Sequence, residues 1–270
     1  MNSQTTISPV TYYGAKSSLA EWITSFFPKH KTYVEVFGGS GIILIRKDPS
    51  PIEVYNDIDS MLSDLFKVLR NESTTEFLRD LCEMTPYSRI EFNESRKLSQ
   101  EMLENARRAM VRFNMSYAGN GRTFSTTVQE TVLGMPNPVR RWQKRIEALI
   151  PAHERLQNII VENEDFRHLI SRYDTPDTLF YLDPPYHMST RDGHNRYIHD
   201  FRNKDHEDLV DILKTIQGGA VVSGYNCQEY ARLESNGYIR HDKESVVRAS
   251  SVNTKRIESI WVKQPPLTRA

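Results

Sequence analysis

The motif Asp183-Pro184-Pro185-Tyr186 carries the most specific chemistry in the sequence. It follows an apolar run at residues 179–182 that predicts a buried strand. Its two prolines fix φ and supply no amide hydrogen, so the turn is rigid and the first proline carbonyl can point outward as an acceptor. With the aspartate as a second acceptor and the tyrosine ring as a stacking face, the motif fits a planar aromatic amine. A proline-rich turn with a capping aspartate is the alternative interpretation.

A glycine-rich turn, Phe37-Gly38-Gly39-Ser40-Gly41, lies between a predicted strand at residues 32–37 and an apolar stretch at residues 42–45. Glycines let the backbone approach a ligand closely, and a helix that follows presents unbonded amide groups. Taken alone, the turn fits a dinucleotide site, a phosphate loop or only a tight turn. The sequence has no Gly-Lys-Ser/Thr after these glycines, so a P-loop is unsupported.

The dipeptide Asn56-Asp57 ends a second predicted strand at residues 52–55. An acidic residue placed about 20 residues beyond a glycine turn can accept hydrogen bonds from two ribose hydroxyls. An ordinary turn aspartate remains the alternative.

Strands and helices alternate around these motifs. Strand patterns occupy residues 32–37, 52–55, 159–162, 179–182, 220–223 and 257–262, and helical patterns occupy residues 16–27, 61–69, 75–84, 98–113, 139–149 and 205–216. Between residues 60 and 150 helical periodicity dominates, and Asn120-Gly121 is a hairpin signal. The pattern predicts an α/β domain with a largely parallel sheet, a ligand at the carboxyl ends of its strands, and a mostly helical insertion.

Composition narrows the class of protein. The chain has 270 residues, of which 38% are apolar, enough for a packed core. No apolar run reaches the roughly 18 residues of a membrane span, and the polar N-terminus lacks a secretion core. Cys82 and Cys227 are too few for a disulfide scaffold or a four-thiolate zinc site, so we expect a cytosolic, reduced protein. We expect no metal, and Asp205-His206 is interpreted as a helix start with a capping aspartate.

Charge is balanced overall, with 35 basic and 35 acidic residues, which argues against a simple polycation. Residues 101–150 nevertheless contain eight arginines and lysines against four glutamates, and residues 239–270 contain seven basic against three acidic residues. Two basic stretches in a neutral chain fit local faces for an anionic partner, and ordinary solvated helix faces are the alternative.

The three motifs, in this order, resemble those of Dam-type (D12 class) DNA adenine-N6 methyltransferases. The resemblance starts at Thr11-Tyr12-Tyr13-Gly14-Ala15-Lys16, similar to the family's N-terminal G-x-K segment. It continues through Glu35-Val36-Phe37-Gly38-Gly39-Ser40-Gly41, Asn56-Asp57-Ile58, Asn163-Glu164-Asp165-Phe166 and the Asp183 tetrad, and thus covers nearly the whole chain.

The resemblance implies a seven-stranded, Rossmann-like methyltransferase sheet, mostly parallel with one antiparallel strand, that binds S-adenosylmethionine. It implies a catalytic domain at residues 1–59 and 152–270 and a target-recognition domain, carrying a β-hairpin, at residues 60–151. It assigns cofactor contacts to Tyr12, Gly14, Lys16, Glu35, Phe37, Gly38, Gly39, Ser40, Gly41, Asp57, Asp165, Phe166 and Asp183. We expect a monomer that acts on double-stranded DNA in the cytoplasm, associated with the nucleoid.

The catalytic tetrad would act on an adenine that has been flipped out of the duplex, because a stacked base cannot meet a methyl donor. Tyr186 would stack on the flipped ring, and Asp183 and the Pro184 carbonyl would accept the two N6 hydrogens. Pro185 completes the rigid turn.

DNA contact is expected from the insertion and from the basic C-terminal stretch. The residues are Arg112, Asn114, Tyr117, Asn120 and Arg122 around the predicted hairpin, Arg140, Arg141, Lys144 and Arg145 as phosphate partners, and Lys255 and Arg256 from the C-terminal stretch. For each of them an exposed side chain without a ligand is the alternative.

One departure from the family affects the recognition site. Members that methylate GATC continue from a Phe-Asn pair like Phe113-Asn114 to an arginine that reads a base, and here Ala118 stands at that place. Alanine cannot make a bidentate guanine contact, so we predict a target other than GATC. The hairpin also lacks the family's x-P-x-G ending and reads Phe124-Ser125-Thr126-Thr127.

Other functions fit parts of the sequence. A DNA-binding protein without activity would require a broken tetrad or glycine turn, and both are intact. An acceptor in RNA or protein keeps the same chemistry, but an aspartate at position 183 and the insertion favour DNA. An NAD-dependent oxidoreductase explains the glycine turn and leaves the tetrad unexplained.

Overall fold

The computed structural model describes residues 7–127, 131–132, 134–186, 201–248 and 253–265. The helices in these residues are α1 (Ala20–Thr24), α2 (Ile42–Arg46), α3 (Ser60–Val68), α4 (Glu72–Met84), α5 (Arg89–Glu94), α6 (Met102–Asn114), α7 (Asn137–Glu147), α8 (Leu149–Leu156), α9 (Phe166–Tyr173), α10 (Asn203–Thr215) and α11 (Gln228–Glu234). The strands are β1 (Thr32–Glu35), β2 (Ile52–Asn56), β3 (Thr131–Val132), β4 (Met135–Pro136), β5 (Ile160–Glu162), β6 (Thr178–Leu182), β7 (Gly219–Gly224), β8 (Ile239–Arg248) and β9 (Asn253–Lys263).

The chain divides into two compact units. The first unit comprises Met1–Glu21, Gly38–Asp48 and Asp57–Asn163, and the second comprises Trp22–Phe37, Pro49–Asn56 and Glu164–Ala270. This division describes how compactly the residues pack. The assignment of residues 60–151 to target recognition stays a prediction. Within the described ranges, no helix is long and apolar enough to cross a bilayer.

A seven-stranded sheet with the order β5-β2-β1-β6-β7-β9-β8 confirms the predicted α/β fold class. β1 runs parallel to β2 and β6, and β6 runs parallel to β7. β9 is antiparallel to both of its neighbours, β7 and β8. Among the strands whose pairing is described, β9 is therefore the one that runs against the others, which agrees with the expected single antiparallel strand.

The register brings the carboxyl ends of three parallel strands to one edge of the sheet. Glu35 at the end of β1 pairs with Tyr55 in β2 and with Tyr181 in β6. The segments that follow these strand ends in sequence are the glycine turn, Asp57 and the Asp183 tetrad. Each of these motifs therefore begins where a strand of the sheet ends.

The core of the second unit includes one face of this sheet, where alternate residues of the strands meet the helices. All residues of β6 and β7 are buried, as expected for strands covered on two sides. Val34, Phe180, Val222 and Trp261 pack with apolar residues of α9, α10 and α11. Burying each such side chain contributes about 1.5–3 kcal/mol relative to exposure, which holds the strand ends rigidly.

Side-chain caps start α3 and α4 in the first unit. Asp59 accepts from the Met61 amide at 3.0 Å at the start of α3, and Asn71 accepts from the Thr74 amide at 3.2 Å at the start of α4. Such caps contribute about 1 kcal/mol each by satisfying amides that lack an intrahelical partner. α6 then packs its buried face against α3.

The predicted hairpin at Asn120-Gly121 is wrong as a pair of strands. The segment forms a 3₁₀ turn at Tyr117–Gly119, closed by one antiparallel bridge between Ser116 and Phe124. The Asn120 Oδ1 accepts from the amides of residues 122 and 123 at 2.9 and 3.0 Å, so a side chain takes the place of a partner strand. The hairpin of the insertion is instead formed by β3 and β4.

Other elements also differ from their predicted bounds. α5, α9, α11 and β8 have no counterpart among the sequence predictions, because they are short or carry many polar residues. A separate helix, α8, follows α7 and contains Pro151 in its first turn, where the missing amide hydrogen costs nothing.

Candidate active site

The glycine turn of the first unit requires glycine at two positions. Gly39 has φ 50° and Gly41 has φ 63°, a region that side chains with a Cβ rarely adopt. A Cβ on Gly39 would lie 2.9 Å from Cδ1 of Tyr12. The turn closes through the Gly41 amide, which donates to the Gly38 carbonyl at 2.8 Å, and Ser8 Oγ donates to the Ser40 carbonyl at 2.6 Å. Tyr12 and the turn are therefore brought together, as both predictions require.

Asp57 is fixed against the same turn. Its Oδ2 accepts from the Gly39 amide at 2.7 Å, and its Oδ1 accepts from the Asp59 amide at 2.8 Å. Its own carbonyl accepts from Asn163 Nδ2 at 2.7 Å and from Ser63 Oγ at 3.1 Å. Because both carboxylate oxygens and the backbone carbonyl accept hydrogen bonds, the buried Asp57 side chain keeps one orientation, as recognition of a diol requires.

The N-terminal segment is anchored to α6. The Tyr12 ring contacts Phe113 with ring centroids 5.2 Å apart. Both ends of the Asn114 amide bind the segment, since Oδ1 accepts from the Thr11 amide at 2.8 Å and Nδ2 donates to the Pro9 carbonyl at 2.9 Å. Asn114 thus has a structural role in this unit, and its predicted DNA contact stays a prediction.

Lys16 is buried within the same segment. Its Nζ donates to the Gly14 carbonyl at 2.9 Å, while Gly14 itself is exposed. A buried ammonium group needs hydrogen-bond acceptors around it, so this lysine is held rather than solvated.

In the second unit, Phe166 of the predicted Asp165-Phe166 pair is packed against two other phenylalanines. The rings of Phe37, Phe166 and Phe201 make mutual contacts with centroids 5.5–5.8 Å apart. Asp165 caps α9 by accepting from the Arg167 amide at 2.9 Å. Phe201 was missed by sequence reasoning, since an isolated phenylalanine before a helix carries no distinguishing signal.

Arg167 connects this aromatic cluster to α10. Its guanidinium lies 4.3 Å from the Phe166 ring centroid and pairs with Asp165 at 3.0 Å, Asp205 at 2.6 Å and Asp208 at 2.8 Å. The hydrogen bond from Arg167 lowers the pKa of Asp208 below its ordinary value. Asp205 also accepts from the Arg202 amide at 2.9 Å, which confirms a capping aspartate. The helix begins at Asn203, two residues before the predicted start, and Asp205 caps it from the first turn.

The tetrad follows β6. A hydrogen bond at the hydroxyl and a ring contact at one face hold its tyrosine side chain. Tyr186 is 8% exposed, and its hydroxyl donates to the carboxylate of Glu258, at 3.0 Å to Oε2 and 3.2 Å to Oε1. Glu258 lies on β9 and is 7% exposed. The Tyr225 ring lies 4.6 Å from the Tyr186 ring, tilted by 59°. Glu258 and Tyr225 were both missed from the sequence.

Three carboxylates create a negative potential at this edge. Burial, followed by the charges of Asp183, Glu35 and Glu258, raises the pKa of Tyr181 well above its ordinary value. Glu35 is 2% exposed and accepts from Tyr33 Oη at 2.8 Å.

The segment between residues 116 and 124 presents several of the predicted DNA-contacting side chains. Tyr117 is 56% exposed, and Ala118 is exposed with φ 50°. Arg122 is exposed as well, whereas Arg112 is half-buried beneath the turn, with Nε 3.4 Å from the Gly121 carbonyl. Burial lowers the pKa of Arg112.

The basic residues of α7 differ in exposure. Arg141 and Lys144 are exposed, whereas Arg140 and Arg145 are half-buried. Lys255 lies in β9, as does Arg256, but their side chains are outside the described residues. Over the described ranges, no group of three or more histidine, cysteine, aspartate or glutamate side chains is arranged to hold a metal ion.

Known proteins resemble this chain at low identity. The modification methylase LlaI of Lactococcus lactis subsp. lactis is 22% identical over 229 residues, which cover 79% of this chain and 35% of that protein. The chain thus spans about a third of the length of this relative.

Among solved structures, a candidate RNA methyltransferase from Pyrococcus horikoshii has a TM-score of 0.42 at 8% identity, covering 97% of this chain and 91% of that one. Precorrin-6y C5,15-methyltransferase from Geobacter metallireducens has a TM-score of 0.38 at 9% identity, covering 92% and 88%. The fold is defined by the strand order and orientations given above.

The family model of the D12 class N6 adenine-specific DNA methyltransferases matches residues 12–259. This range contains the Tyr12 segment, the glycine turn, Asp57, Asp165-Phe166 and the Asp183 tetrad. It confirms the resemblance drawn from these motifs, and the chain belongs to the D12 class family of N6 adenine-specific DNA methyltransferases.

Proposed function

We propose that this protein transfers the methyl group of S-adenosylmethionine to the N6 amine of an adenine in double-stranded DNA. The observation that carries the proposal is the fixed Tyr186, bonded to Glu258 and packed against Tyr225, directly after the Asp183 acceptor. An aromatic face beside two hydrogen-bond acceptors suits a planar base with an exocyclic amine.

The residues present fit S-adenosylmethionine. Asp57, oriented by the glycine turn, suits the ribose hydroxyls, and Phe166 in its aromatic cluster suits the adenine ring. Glu35 and Asp183 supply negative charge, which suits a sulfonium. When bound, this cofactor supplies an electrophilic methyl group.

The protein's own residues prepare the acceptor nitrogen. Tyr186 would stack on the flipped adenine, a contact of about 1–3 kcal/mol that offsets the few kcal/mol spent on unstacking. Asp183 and the Pro184 carbonyl would each accept one N6 hydrogen, which withdraws the nitrogen lone pair from the ring and aims it for attack. Asp183 then holds the proton that N6 must lose. The acceleration comes from orientation and from negative charge placed where positive charge develops.

DNA recognition is proposed for residues 60–151. The exposed Tyr117 and Arg122 are proposed to contact bases, and the basic face of α7 is proposed to contact phosphates. Ala118 holds a left-handed conformation that costs about 1–2 kcal/mol, and such strain is concentrated at functional segments. Because its methyl group cannot bond guanine, we propose a target other than GATC.

The cellular setting is part of the same proposal. Activity on chromosomal DNA would place the chain at the nucleoid in the cytoplasm, and it is proposed to act as a monomer.

Tritiated S-adenosylmethionine and unmethylated genomic DNA test the proposal, with Asp183→Ala as the inactive control. Label in adenine N6 at one sequence, absent with the variant, is the expected result, and single-molecule sequencing then reads the site. A GATC site would refute the inference from Ala118. Cofactor binding without DNA labelling would point to RNA or protein as acceptor, or to a binding protein without activity.

A further inference from the structure

A cavity of about 340 Å³ in the first unit is lined by Tyr12, a predicted cofactor contact, and by no residue of the catalytic tetrad. Two arginines line it, Arg46 at the end of α2 and Arg145 on α7, together with the hydroxyl-bearing residues Ser8, Thr11 and Ser17. The volume is large enough for a phosphate group. Its lining combines these polar groups with the apolar side chains of Ile7, Val10, Ala15 and Ile42.

Arg145 is a half-buried cation without a carboxylate partner. Its Nη1 donates to the Ser8 carbonyl at 2.5 Å, and in the described part of the chain no ion pair with an acid is formed. Burial, and then repulsion from Arg141, lowers its pKa. A guanidinium that is removed from water without a counter-ion destabilises the fold unless an anion compensates it.

Arg46 also lines the cavity and has one unsatisfied donor. Its Nη1 donates to the Ser17 carbonyl at 2.5 Å, while its buried Nε has no hydrogen-bond partner among the described residues. A buried donor left unsatisfied is rare in folded proteins and needs an explanation. A bound anion would satisfy this group and the charge of Arg145 together.

The surroundings indicate which anion this is. Arg141 and Lys144 on the same helix are exposed, and Arg141 lies one helical turn before Arg145. Thr11, which lines the cavity, also contacts the recognition segment, because a Cβ on Gly119 would lie 2.6 Å from the Thr11 carbonyl oxygen. One lining residue of the cavity therefore contacts the segment proposed to face DNA, and another lies on the helix that carries the exposed cations.

We propose that this cavity binds one phosphodiester group of the DNA backbone, through the guanidinium groups of Arg46 and Arg145. Planar guanidinium groups match phosphate oxygens in pairs, and the hydroxyl groups of Thr11 and Ser17 add further donors. The inference rests on the proposed function, and it adds a built phosphate site to the exposed cations of α7.

Fluorescence anisotropy with a labelled duplex, measured over a series of salt concentrations, tests the site. Arg145→Gln and Arg46→Gln are compared with Lys97→Gln, which removes an exposed charge that pairs with Glu94. Loss of one phosphate contact should reduce the slope of log K against log salt by about 0.9 and weaken binding by about tenfold, on duplexes of any sequence. The Lys97 variant should keep the wild-type slope.

Arg145→Lys is the second variant, since it retains the charge for folding but loses the planar fork. It should bind DNA several-fold more weakly than wild type with nearly the same slope. An unchanged slope and affinity in folded Arg145→Gln would overturn the proposal.

Two further measurements separate other anions. A melting temperature raised by inorganic phosphate in wild type only, with unchanged DNA binding by the variants, would assign the cavity to free phosphate. A selective loss of S-adenosylmethionine affinity would assign it to the cofactor carboxylate. Either result overturns the phosphodiester proposal. Because DNA binding is read without turnover, failure of the methyltransferase proposal is detected separately by the labelling assay.

Discussion

Glu258 should position Tyr186 for base stacking, and its removal should slow methylation without weakening cofactor binding. The two oxygens of Glu258 lie 3.0 and 3.2 Å from the Tyr186 hydroxyl, and both side chains are buried. A hydrogen bond to a charged group contributes about 1.5–3 kcal/mol, and a buried hydroxyl that loses it is left unsatisfied. If this free energy orients the ring in the transition state, Glu258→Ala should lower kcat/KM by about 10- to 150-fold.

Glu258→Gln is the matched variant, because it keeps the size and one acceptor of the side chain. A neutral hydrogen bond contributes about 1 kcal/mol less than a charged one, so the loss should be about fivefold. Single-turnover methylation with tritiated cofactor gives the rate, and calorimetry gives the S-adenosylmethionine affinity. The rate should fall in both variants while the cofactor affinity changes less than twofold.

A double-mutant cycle with Tyr186→Phe provides the decisive control. Tyr186→Phe keeps the stacking ring but cannot donate to Glu258, so the cost of Glu258→Gln should nearly vanish in that background. An equal loss in both backgrounds would show that Glu258 acts on general stability rather than through Tyr186, and would refute the positioning role. Activity of Glu258→Ala within twofold of wild type would refute it directly.

Three other perturbations test separate parts of the fold. Arg167→Met should raise the S-adenosylmethionine Kd by about tenfold, because the cation that orients the Asp-Phe pair is lost; calorimetry measures this, and unchanged affinity contradicts it. Gly39→Ala should lower the free energy of unfolding by more than about 2 kcal/mol, because it adds a steric clash to left-handed backbone strain. Gly237→Ala has open space around its Cβ, so it should lower that free energy by only about 1–2 kcal/mol. Chemical denaturation measures both values. Burial raises the pKa of Cys82 to about 12 and of Cys227 to about 11, so both thiols should react slowly with a disulfide reagent at pH 8. The reaction rate should increase with pH, and Cys227 should react faster than Cys82. Rapid modification of the folded protein at pH 8 would contradict the buried environments.

Local sequence determined the motifs because their physics acts within a few residues. Gly39 and Gly41 were recognisable since a turn between strand and helix demands positive φ, and the structure gives both that conformation. The paired prolines after residue 182 predicted a rigid turn from covalent geometry alone. Runs rich in β-forming and apolar residues predicted β1, β2, β6 and β7, because such side chains suit buried parallel strands.

The sequence was less informative where side chains and backbone compete. Asn120-Gly121 has the composition of a hairpin turn, yet Asn120 bonds the following amides and leaves a single bridge in place of a ladder. The outcome depends on which acceptors the folded segment places against these amides, and composition does not encode that.

Tertiary structure alone decided which distant residues complete the site. Glu258 is 72 residues from Tyr186 in sequence, and nothing about a glutamate in a strand distinguishes it from a solvated one. The antiparallel register places Ser259 opposite Gly224, which brings the neighbouring Glu258 and Tyr225 to the tetrad. The union of Arg46 and Arg145 in one cavity likewise depends on packing. Neighbouring residues determine the local conformational preferences of the backbone. The partners of a buried charge depend instead on the register and packing of the whole sheet and its helices.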